Sequence, residues 1–564
     1  MNNEMNMDRR TFLRLAAGTT GALYLGACSE DRDTTEGQGQ RAGELPSTPR
    51  PTIRLAGGDQ GFPSPFAYRR GPGYVQMSYL YDTLLWTDST GNFIPWLAAS
   101  HQRSPDGRRY TFELREGVKW HDGRDLTADD VAFTFQYFQS QRLSPQVIVQ
   151  PEVEGGRMDV RAIGARTVEF NLPQPTVTFI DFVAAAVPIV PRHIWSQVQN
   201  PTTAADPNVL VGTGPYRLES YSQGQGAYAY NANDEYFLGR PFVKRLENRP
   251  VGDPLTALQA GELDAAGRPG LRPEALAAFG ADPSFEVLKG HVGDMMTALY
   301  WNLAKGGALA DVRFRQACAK AIDREDLVRR LFGGNGTPGN PGWIPPTDGF
   351  YAPVEQYRFD LAAANRTLDD AGYRRPSPDG VRQGPDGRPL RFGLLVSNEP
   401  GPPIGDLLVR ALRPIGVELV PQPVDAPTLN QRVIRGDAEM SVIGSGGLHG
   451  YPDYLRRSYS SKTQNTQHAQ GYVNPEVDSL ADQQLVTLDE AERKRIVARI
   501  QEIIARDVPL LPLYYPDNLH VFKKPVFDQW YFTPGGFAGN IPVAANKHAF
   551  VTGVKTGVEV RKSQ

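Results

Sequence analysis

Alternating apolar and polar residues predict strands in the first half of the chain. Residues 108–115 (RRYTFELR) and 166–172 (RTVEFNL) show the period of two that is typical of half-buried strands. Between them, residues 127–130 (TADD) resemble a capping box and precede apolar positions at helical spacing. This part of the chain is predicted to form a small α+β unit. Further strands are predicted over 216–221, 227–231 and 242–248.

In the second half of the chain, segments with the helical period of about 3.6 residues alternate with predicted strands. Residues 311–322 place apolar side chains on one helical face, and a second helix is predicted to begin near Arg324. From 390 to 443 the pattern is strand, helix, strand, helix, strand, which predicts a mostly parallel sheet with right-handed connections. Ligands of such sheets bind at the carboxyl ends of the strands, so residues 444–453 are the first candidate region. A long amphipathic helix is predicted over 489–506, followed by an apolar run over 510–515.

Composition narrows the classes of protein. The length of 564 residues predicts about two to four domains, and 40% hydrophobic with 22% charged residues is ordinary globular usage. The net charge of −3 argues against nucleic-acid binding by bulk positive charge. Two cysteines allow no disulfide framework. Beyond the N-terminus no apolar run is long enough for a membrane span, which argues against a polytopic membrane protein.

The N-terminal 28 residues resemble an export signal. Arg9 and Arg10 precede a short, mildly apolar stretch, as in twin-arginine signals, and residues 25–28 (LGAC) resemble a bacterial lipobox. We therefore expect residues 1–28 to be a signal and Cys28 to be lipidated; the alternative is a signal-peptide cysteine with cleavage elsewhere. Residues 29–50 hold almost no large apolar side chains and are predicted to be a disordered tether.

No catalytic or metal-binding motif stands out. The string GNGTPG at 334–339 follows no predicted strand and has a proline where a helix would begin, so a dinucleotide site is disfavoured. His121 and Asp122 adjoin a glycine, which favours a structural turn over an acid–base pair. The scattered histidines have no metal-ligand spacing, and no nucleophile elbow is present. We predict no catalytic residues, no metal and no cofactor.

Aromatic residues are the remaining candidates for ligand contact. Several lie in or beside predicted loops and strand ends, where rings can stack on a ligand, although core packing is the alternative for each. They are Trp301, Trp343, Tyr451, Tyr454, Tyr514 and Tyr515.

A series of motifs along the body resembles the family 5 solute-binding proteins of ABC importers, which include dipeptide, oligopeptide and nickel-chelate binders. The motifs are YDTLL at 81–85, YTFELREGVKWHDG at 110–123, LTADDV at 126–131, GTGPY at 212–216, LQAGELD at 258–264, DVRFRQA at 311–317 and AIDR at 321–324.

The resemblance implies an α/β fold with two lobes, of the periplasmic-binding-protein type II, cluster C, with an inserted α+β subdomain. Lobe one would comprise residues 51–292 and 516–564 and would include the inserted subdomain at about 91–205. Lobe two would comprise residues 293–515. A ligand would be trapped in the cleft between the lobes by hinge closure.

One departure from the family pattern concerns the ligand. Peptide binders of the family typically hold the peptide amino group with an Asp four residues before a proline; the matching position here is Leu448, and the usual Trp position is Ser445. Asp453 is an alternative anchor if the loop is shifted, and His449 is the other nearby polar group. The predicted ligand contacts are Phe62, Trp301, Trp343, His449, Asp453 and Tyr515.

The resemblance predicts a receptor outside the cytoplasm, and not an enzyme. It would be anchored at Cys28, bind a small-molecule or peptide ligand and deliver that ligand to an ABC permease. It would act as a monomer and bind no nucleic acid. The periplasm or the outer face of the cell membrane is the predicted location. An exported α/β hydrolase, or a binding fold used as a sensor or chaperone, is the alternative function.

Overall fold

The structure is a computed structural model. It describes residues 51–68, 72–87, 92–141, 156–290, 295–378, 380–398, 403–446, 452–463, 468–532 and 546–554. These residues all belong to one compact unit, Arg50–Gln564, whereas the other unit, Met1–Pro49, lies outside the described residues. The predicted signal, the lipidation site Cys28 and the whole of the predicted tether, residues 29–50, therefore lie outside the described residues.

The described residues contain nineteen strands. They are Thr52–Ala56 (β1), Leu85–Thr87 (β2), Phe93–Pro95 (β3), Ala98–Arg103 (β4), Arg109–Leu114 (β5), Asp159–Ala162 (β6), Thr167–Asn171 (β7), Tyr216–Ser222 (β8), Ala227–Ala232 (β9), Arg245–Arg249 (β10), Ala265–Pro269 (β11), Phe285–Gly290 (β12), Met295–Trp301 (β13), Gly336–Pro338 (β14), Arg391–Ser397 (β15), Glu418–Val424 (β16), Met440–Gly446 (β17), Leu510–Pro516 (β18) and Asn518–Lys523 (β19).

The α-helices of the described residues are Pro72–Ser78 (α1), Ala128–Ser140 (α2), Arg192–Trp195 (α3), Pro254–Gln259 (α4), Pro273–Gly280 (α5), Gly307–Ala310 (α6), Val312–Ala321 (α7), Arg324–Phe332 (α8), Leu361–Asp370 (α9), Ile404–Leu412 (α10), Ala426–Ile434 (α11), Asp453–Tyr459 (α12), Pro475–Val486 (α13), Glu490–Asp507 (α14) and Lys547–Thr552 (α15). Phe179–Ala184 is a π-helical turn. None of these helices combines the length and the apolar character needed to cross a bilayer.

Lobe one is built on two sheets. The four-stranded sheet has the order β1-β10-β9-β8, and β1 and β10 run parallel in it. In the three-stranded sheet, β19 lies between β11 and β12 and pairs antiparallel with both. Strand β19, from the C-terminal part of the chain, thus completes a sheet with strands of the first half. The division into lobes at residues 51–292 with 516–564 and at 293–515 stays a prediction.

The inserted subdomain has its own sheet, of antiparallel order β4-β5-β7-β6. Helix α2 covers it and begins at the predicted capping box, in which Thr127 and Asp130 each bind the other's backbone N–H. The strands predicted at 108–115 and 166–172 are confirmed as β5 and β7.

Lobe two contains a six-stranded sheet of order β14-β18-β13-β17-β15-β16. The predicted β-α-β-α-β unit is confirmed: β15 runs parallel to both β16 and β17, and α10 and α11 connect them. The other neighbours pair antiparallel, so the complete sheet is mixed. A prediction from local pattern could not include β13 and β18, because they come from distant parts of the chain.

Two separate cores cover the two faces of this sheet. Buried apolar residues of α7, α9 and α10 pack on one face, and those of α11 to α14 pack on the other. Lobe one and its subdomain share a further large core. The fold is therefore two-lobed and α/β, with an inserted α+β subdomain, as predicted.

Candidate functional site

The two lobes are joined by strands that lie side by side. β12 ends at Gly290 and β13 begins at Met295, which carries the chain into lobe two. Asp517 links β18 to β19, where the chain returns to lobe one. The two connections are adjacent, because Gly290 is paired with Asn518. Because a rotation about two adjacent strands changes few contacts, this junction is suited to hinge motion.

We call the two connections between the lobes, from β12 to β13 and from β18 to β19, the crossings. A set of hydrogen bonds and an ion pair lies beside them. The Asn335 side chain of lobe two donates to Leu271 O at 2.8 Å, and the Asp517 N–H donates to Asn335 O at 3.2 Å. Gly270 N of lobe one donates to Asp517 O at 2.8 Å. Lys289 Nζ lies 2.7 Å from the buried Asp517 carboxylate. We call the contacts of Gly270 and Leu271 with Asn335 and Asp517 the hinge seam.

The carboxyl end of β17 reaches the same edge of the lobe-two sheet as the crossings. Gly446 at the end of β17 is paired with Met295 at the start of β13, and Pro516 at the end of β18 is paired with Gly336. The loop that follows β17 begins at this edge, which is where ligands bind in α/β sheets. Its residues 447–451, including Leu448 and His449, lie outside the described residues.

On lobe one, the loop after β1 contains an aromatic and acidic group. Phe62 is partly buried and packs edge-to-face against Tyr221, with ring centroids 6.0 Å apart. Tyr221 stacks on Tyr228 at 4.8 Å, and its hydroxyl donates to Asp59 Oδ1 at 2.9 Å. Burial and the bond to Asp59 raise the pKa of Tyr221, which keeps its hydroxyl a donor. Asp59 and Tyr221 were not predicted from the sequence, since neither belongs to a recognisable motif.

The structure brings two of the predicted aromatic residues together. Tyr515 is fully buried, and its hydroxyl bonds the backbone oxygen of Trp343. Trp343 is 1% exposed and has a φ of 73°, a left-handed conformation that bulky residues rarely adopt. Trp301 is equally buried but belongs to the core on the opposite face of the sheet. All three pack in cores; their predicted contact with a ligand stays a prediction.

Asp453, the first residue of α12, is buried and already paired. Its carboxylate accepts from Arg456 Nε at 2.7 Å and from Arg457 Nε at 3.0 Å. Burial alone would raise the pKa of Asp453, but the two guanidinium groups hold it below its ordinary value. An amino group of a ligand would therefore have to share this carboxylate with two arginines.

The inserted subdomain touches lobe two directly, at a place that the sequence did not indicate. Val177 N donates to Leu485 O at 2.9 Å, and the Arg457 guanidinium lies 5.5 Å from the centroid of the Phe182 ring. Gly107 packs on Leu488 so closely that a β-carbon there would lie 2.5 Å from Leu488 Cδ1. We call these contacts, with Asp181 and Arg493 beside them, the subdomain seam.

Asp181 is the acidic group of this seam. It is partly buried in the π-helical turn, and burial raises its pKa to about 7, a shift that Arg493 opposes. The one sequence signal for it was a single carboxylate inside an apolar run, VTFIDFVAAAV at 177–187.

No group of three or more metal-ligating side chains occurs among the described residues. His121 and Asp122 do not form a pair: Asp122 binds His193 at 2.7 Å, and His121 bonds backbone groups of Gly212 and Gly214. What the arrangement provides is a junction suited to hinge motion, a strand edge for a ligand and contacts between the lobes, and these properties are typical of a binding protein.

These features define a two-lobed solute-binding protein. The family model described as "Bacterial extracellular solute-binding proteins, family 5 Middle" matches residues 92–467, more than half of the chain. The chain belongs to this family, and the resemblance to family 5 solute-binding proteins of ABC importers is confirmed. It is a solute-binding receptor of the extracytoplasmic class.

Similar proteins extend over nearly the whole chain. Oligopeptide-binding protein AppA of Bacillus subtilis (strain 168) is 27% identical over 540 residues, which cover 91% of this chain and 95% of that protein. The structure of AppA from Bacillus subtilis in complex with a nonapeptide has a TM-score of 0.71 at 23% identity and covers 88% of this chain and 99% of that chain. NikA from Brucella suis in complex with Fe(III)-EDTA has a TM-score of 0.74 at 22% identity, with the same coverage.

Proposed function

We propose that this chain captures a small solute between its two lobes outside the cytoplasm and passes it, chemically unchanged, to an ABC permease. The observation that carries this proposal is the junction of the lobes. The two crossings lie side by side, and they meet lobe two at the sheet edge where β17 ends. A solute bound at that edge would be enclosed when the lobes rotate about the crossings.

An oligopeptide is the first candidate solute, because AppA is named as an oligopeptide-binding protein and is similar over 91% of this chain. A solute without a required amino group is the second candidate. It is favoured by Leu448 at the usual position of the amine anchor and by the pairing of Asp453 with two arginines. NikA, whose structure holds Fe(III)-EDTA, is an example of a similar fold that takes such a solute.

For the solute contacts we propose Phe62 on lobe one and the residues at the end of β17 on lobe two, including His449. The Asp59–Tyr221 pair would support Phe62 and offer a carboxylate and a hydroxyl beside it. Trp343 and Tyr515 would not contact the solute directly but would hold the loop that follows β14 in place, through the bond of the Tyr515 hydroxyl to Trp343 O.

We also propose that the chain leaves the cytoplasm through its twin-arginine signal and is anchored by a lipid on Cys28. Residues 29–50 would then tether the body to the membrane, with a coil length of roughly 25 Å. Substituting Cys28→Ser is expected to move the protein from the membrane fraction to the soluble fraction of cells. Retention in the membrane fraction would contradict lipidation at this cysteine.

The solute can be tested with tetra-alanine and N-acetyl-tetra-alanine as probes in thermal-shift measurements, together with mass spectrometry of the solute that co-purifies. Binding of tetra-alanine alone indicates a peptide receptor with an amine anchor; equal binding of both indicates a peptide receptor without one. If neither binds and a non-peptide solute co-purifies, the second candidate is supported. A solute that leaves the protein with a changed mass would contradict transport without chemistry.

Replacing Phe62→Ala tests the proposed wall of lobe one. We expect about a tenfold loss of affinity for the identified solute, because a stacked ring contributes about 0.5–1.5 kcal/mol beyond its buried area. Phe359→Ala, which alters an exposed ring of lobe two, is the control. Unchanged affinity in both variants would remove Phe62 from the site.

A further inference from the structure

Helix α12 is the element that follows the candidate ligand loop in the chain. It begins at Asp453, and its residues Leu455 and Tyr459 are buried in a core of lobe two. Among the described residues it is the next element after β17. A solute that moves the loop after β17 would therefore act on α12 first.

Arg457 of this helix contacts three groups at once. Its Nε donates to Asp453 Oδ2 at 3.0 Å, and its guanidinium lies 5.4 Å from the centroid of the Tyr454 ring. The third contact reaches the inserted subdomain, where the guanidinium lies 5.5 Å from the centroid of the Phe182 ring. Two of these contacts are thus internal to α12, and one crosses the subdomain seam.

The buried Asp453 carboxylate fixes the direction of Arg457. Asp453 is 3% exposed and also accepts from Arg456 Nε at 2.7 Å, so two guanidinium groups hold it in place. A guanidinium that is already oriented loses little conformational freedom when a ring from another segment meets it. Asp453 therefore presents Arg457 to the subdomain, and this role is independent of its predicted contact with a solute.

The partner ring is also held in a defined position. Phe182 lies in the π-helical turn of the subdomain, whose residues Phe179 and Val183 are buried in the core. Close by in the chain, Val177 N donates to Leu485 O of α13 at 2.9 Å. Isolated π-helical turns are frequent at functional sites. A backbone hydrogen bond across the seam thus sets the position of this segment against lobe two.

We propose that Arg457 is a positioning residue for solute binding: from the helix that follows the ligand loop, it holds the inserted subdomain through Phe182 when the lobes close. The inference rests on the proposed function, because it needs a solute bound at the end of β17. A rotation about the crossings separates lobe two from the subdomain, so this contact exists only in the closed form. Its free energy is therefore added to the closed, solute-bound form alone.

The contact should slow the release of the solute without changing its capture. A solute enters the open form, in which Arg457 and Phe182 are apart, whereas its release requires that the two separate. The usual strength of a cation–π contact at a partly exposed site corresponds to release that is about two- to fivefold slower.

The test measures release and capture separately in the full chain, by stopped-flow tryptophan fluorescence. The ligand is tetra-alanine or, if tetra-alanine does not bind, the solute that co-purifies. Arg457→Met keeps an apolar stem and removes the charge, and Phe182→Leu removes the ring on the other side. In each variant we expect the dissociation rate to rise about two- to fivefold and the association rate to match that of the parent.

A double variant and two single variants make the outcome decisive. Arg457→Met with Phe182→Leu should release the ligand no faster than either change alone, because both remove the same contact. Arg457→Lys should recover part of the slow release, since an ammonium group is also attracted to the ring. Arg495→Met, which alters an exposed arginine of α14 paired with Glu492, should leave both rates unchanged.

Urea unfolding of the same variants separates positioning from a purely structural role. A structural role of Arg457 would lower the free energy of unfolding and leave both rates at their parent values. A parent that binds neither ligand would overturn the proposed function, and this inference with it. A parent that binds, together with variants that release at the parent rate or with effects that add in the double variant, would overturn this inference alone.

Discussion

At the residue scale, the C-terminal helix α15 is held by a buried ion pair. Lys547 Nζ lies 2.6 Å from Asp82 Oδ1, and both side chains are fully buried. Trp96, Thr213 and Tyr236 also donate to the Asp82 carboxylate, and Lys547 donates to Tyr81 O. Burial lowers the pKa of Lys547, and Asp82 opposes that shift. The Asp of YDTLL thus joins segments from both ends of lobe one.

Removing one partner of this pair is expected to be costly. Lys547→Met leaves the Asp82 carboxylate buried without its counter-ion, so we expect a loss of about 3–5 kcal/mol in the free energy of unfolding, measured with urea. The double variant with Asp82→Asn should recover part of the loss. Lys119→Met, which removes an exposed pair with Asp125, should leave the stability nearly unchanged. An equally small loss in Lys547→Met would show that the pair is not a net contributor.

The buried His520 of β19 is expected to make the stability of the fold depend on pH. It is 5% exposed and packs on Trp530 with ring centroids 4.8 Å apart, and burial lowers its pKa from 6.5 to about 3. The folded chain thus keeps His520 neutral where the unfolded chain takes up a proton. The contribution of His520 is complete above pH 6.5 and is lost as pH falls from 6.5 towards 3, by about 1.4 kcal/mol per pH unit.

In His520→Phe this part of the pH dependence should disappear. Urea unfolding at several pH values between 4 and 8 compares the slopes of stability against pH for the parent and the variant. A variant that retains the parent slope below pH 6.5 would assign the acid sensitivity to other groups.

At the element scale, the start of α2 offers a matched pair of acidic residues. Asp130 accepts from Thr127 N at 3.0 Å and from Arg192 N at 3.0 Å, so it closes the capping box and fixes α3 beside it. Asp129 is exposed and takes no part in the capping box. We expect Asp130→Ala to lower the free energy of unfolding by about 1–2 kcal/mol and Asp129→Ala by a few tenths, as measured with urea. Equal effects would mean that charge near the helix start matters and the cap does not.

Elements with a regular pattern were predictable, whereas contacts between distant segments were not. The alternation in β5 and β7 and the cap of α2 are local signals, and the structure has all three. β18 is buried on both sides, so its apolar run carries no period that indicates its neighbours. Its position beside β13 depends on pairing across more than 200 residues.

The candidate site shows the same limit. The sequence indicated the end of β17 because the carboxyl ends of parallel strands form ligand sites, and the structure has that strand end beside the crossings. The subdomain seam could not be predicted, because Asp181 and Arg493 are separated by more than 300 residues and neither lies in a motif. A contact between lobes leaves no periodic trace in either segment.

At the scale of the whole molecule, the two seams between the lobes should respond differently to opening. The hinge seam adjoins the crossings, so a rotation about them preserves its contacts in both the open and the closed form. The subdomain seam exists only while the lobes touch. A change in the hinge seam should therefore alter the stability of the fold without altering the balance between the forms.

Asn335→Ala tests this distinction, since it removes the side-chain bond to Leu271 O while leaving the backbone bond to Asp517. We expect the free energy of unfolding to fall by about 0.5–1.5 kcal/mol, the usual contribution of a hydrogen bond. The affinity for the co-purified solute, measured by isothermal titration calorimetry, should match that of the parent, because a rotation about the crossings leaves the contacts of Asn335 unchanged. If Asn335→Ala instead changes this affinity, the axis of rotation does not run through the crossings, and the hinge seam opens together with the rest of the interface.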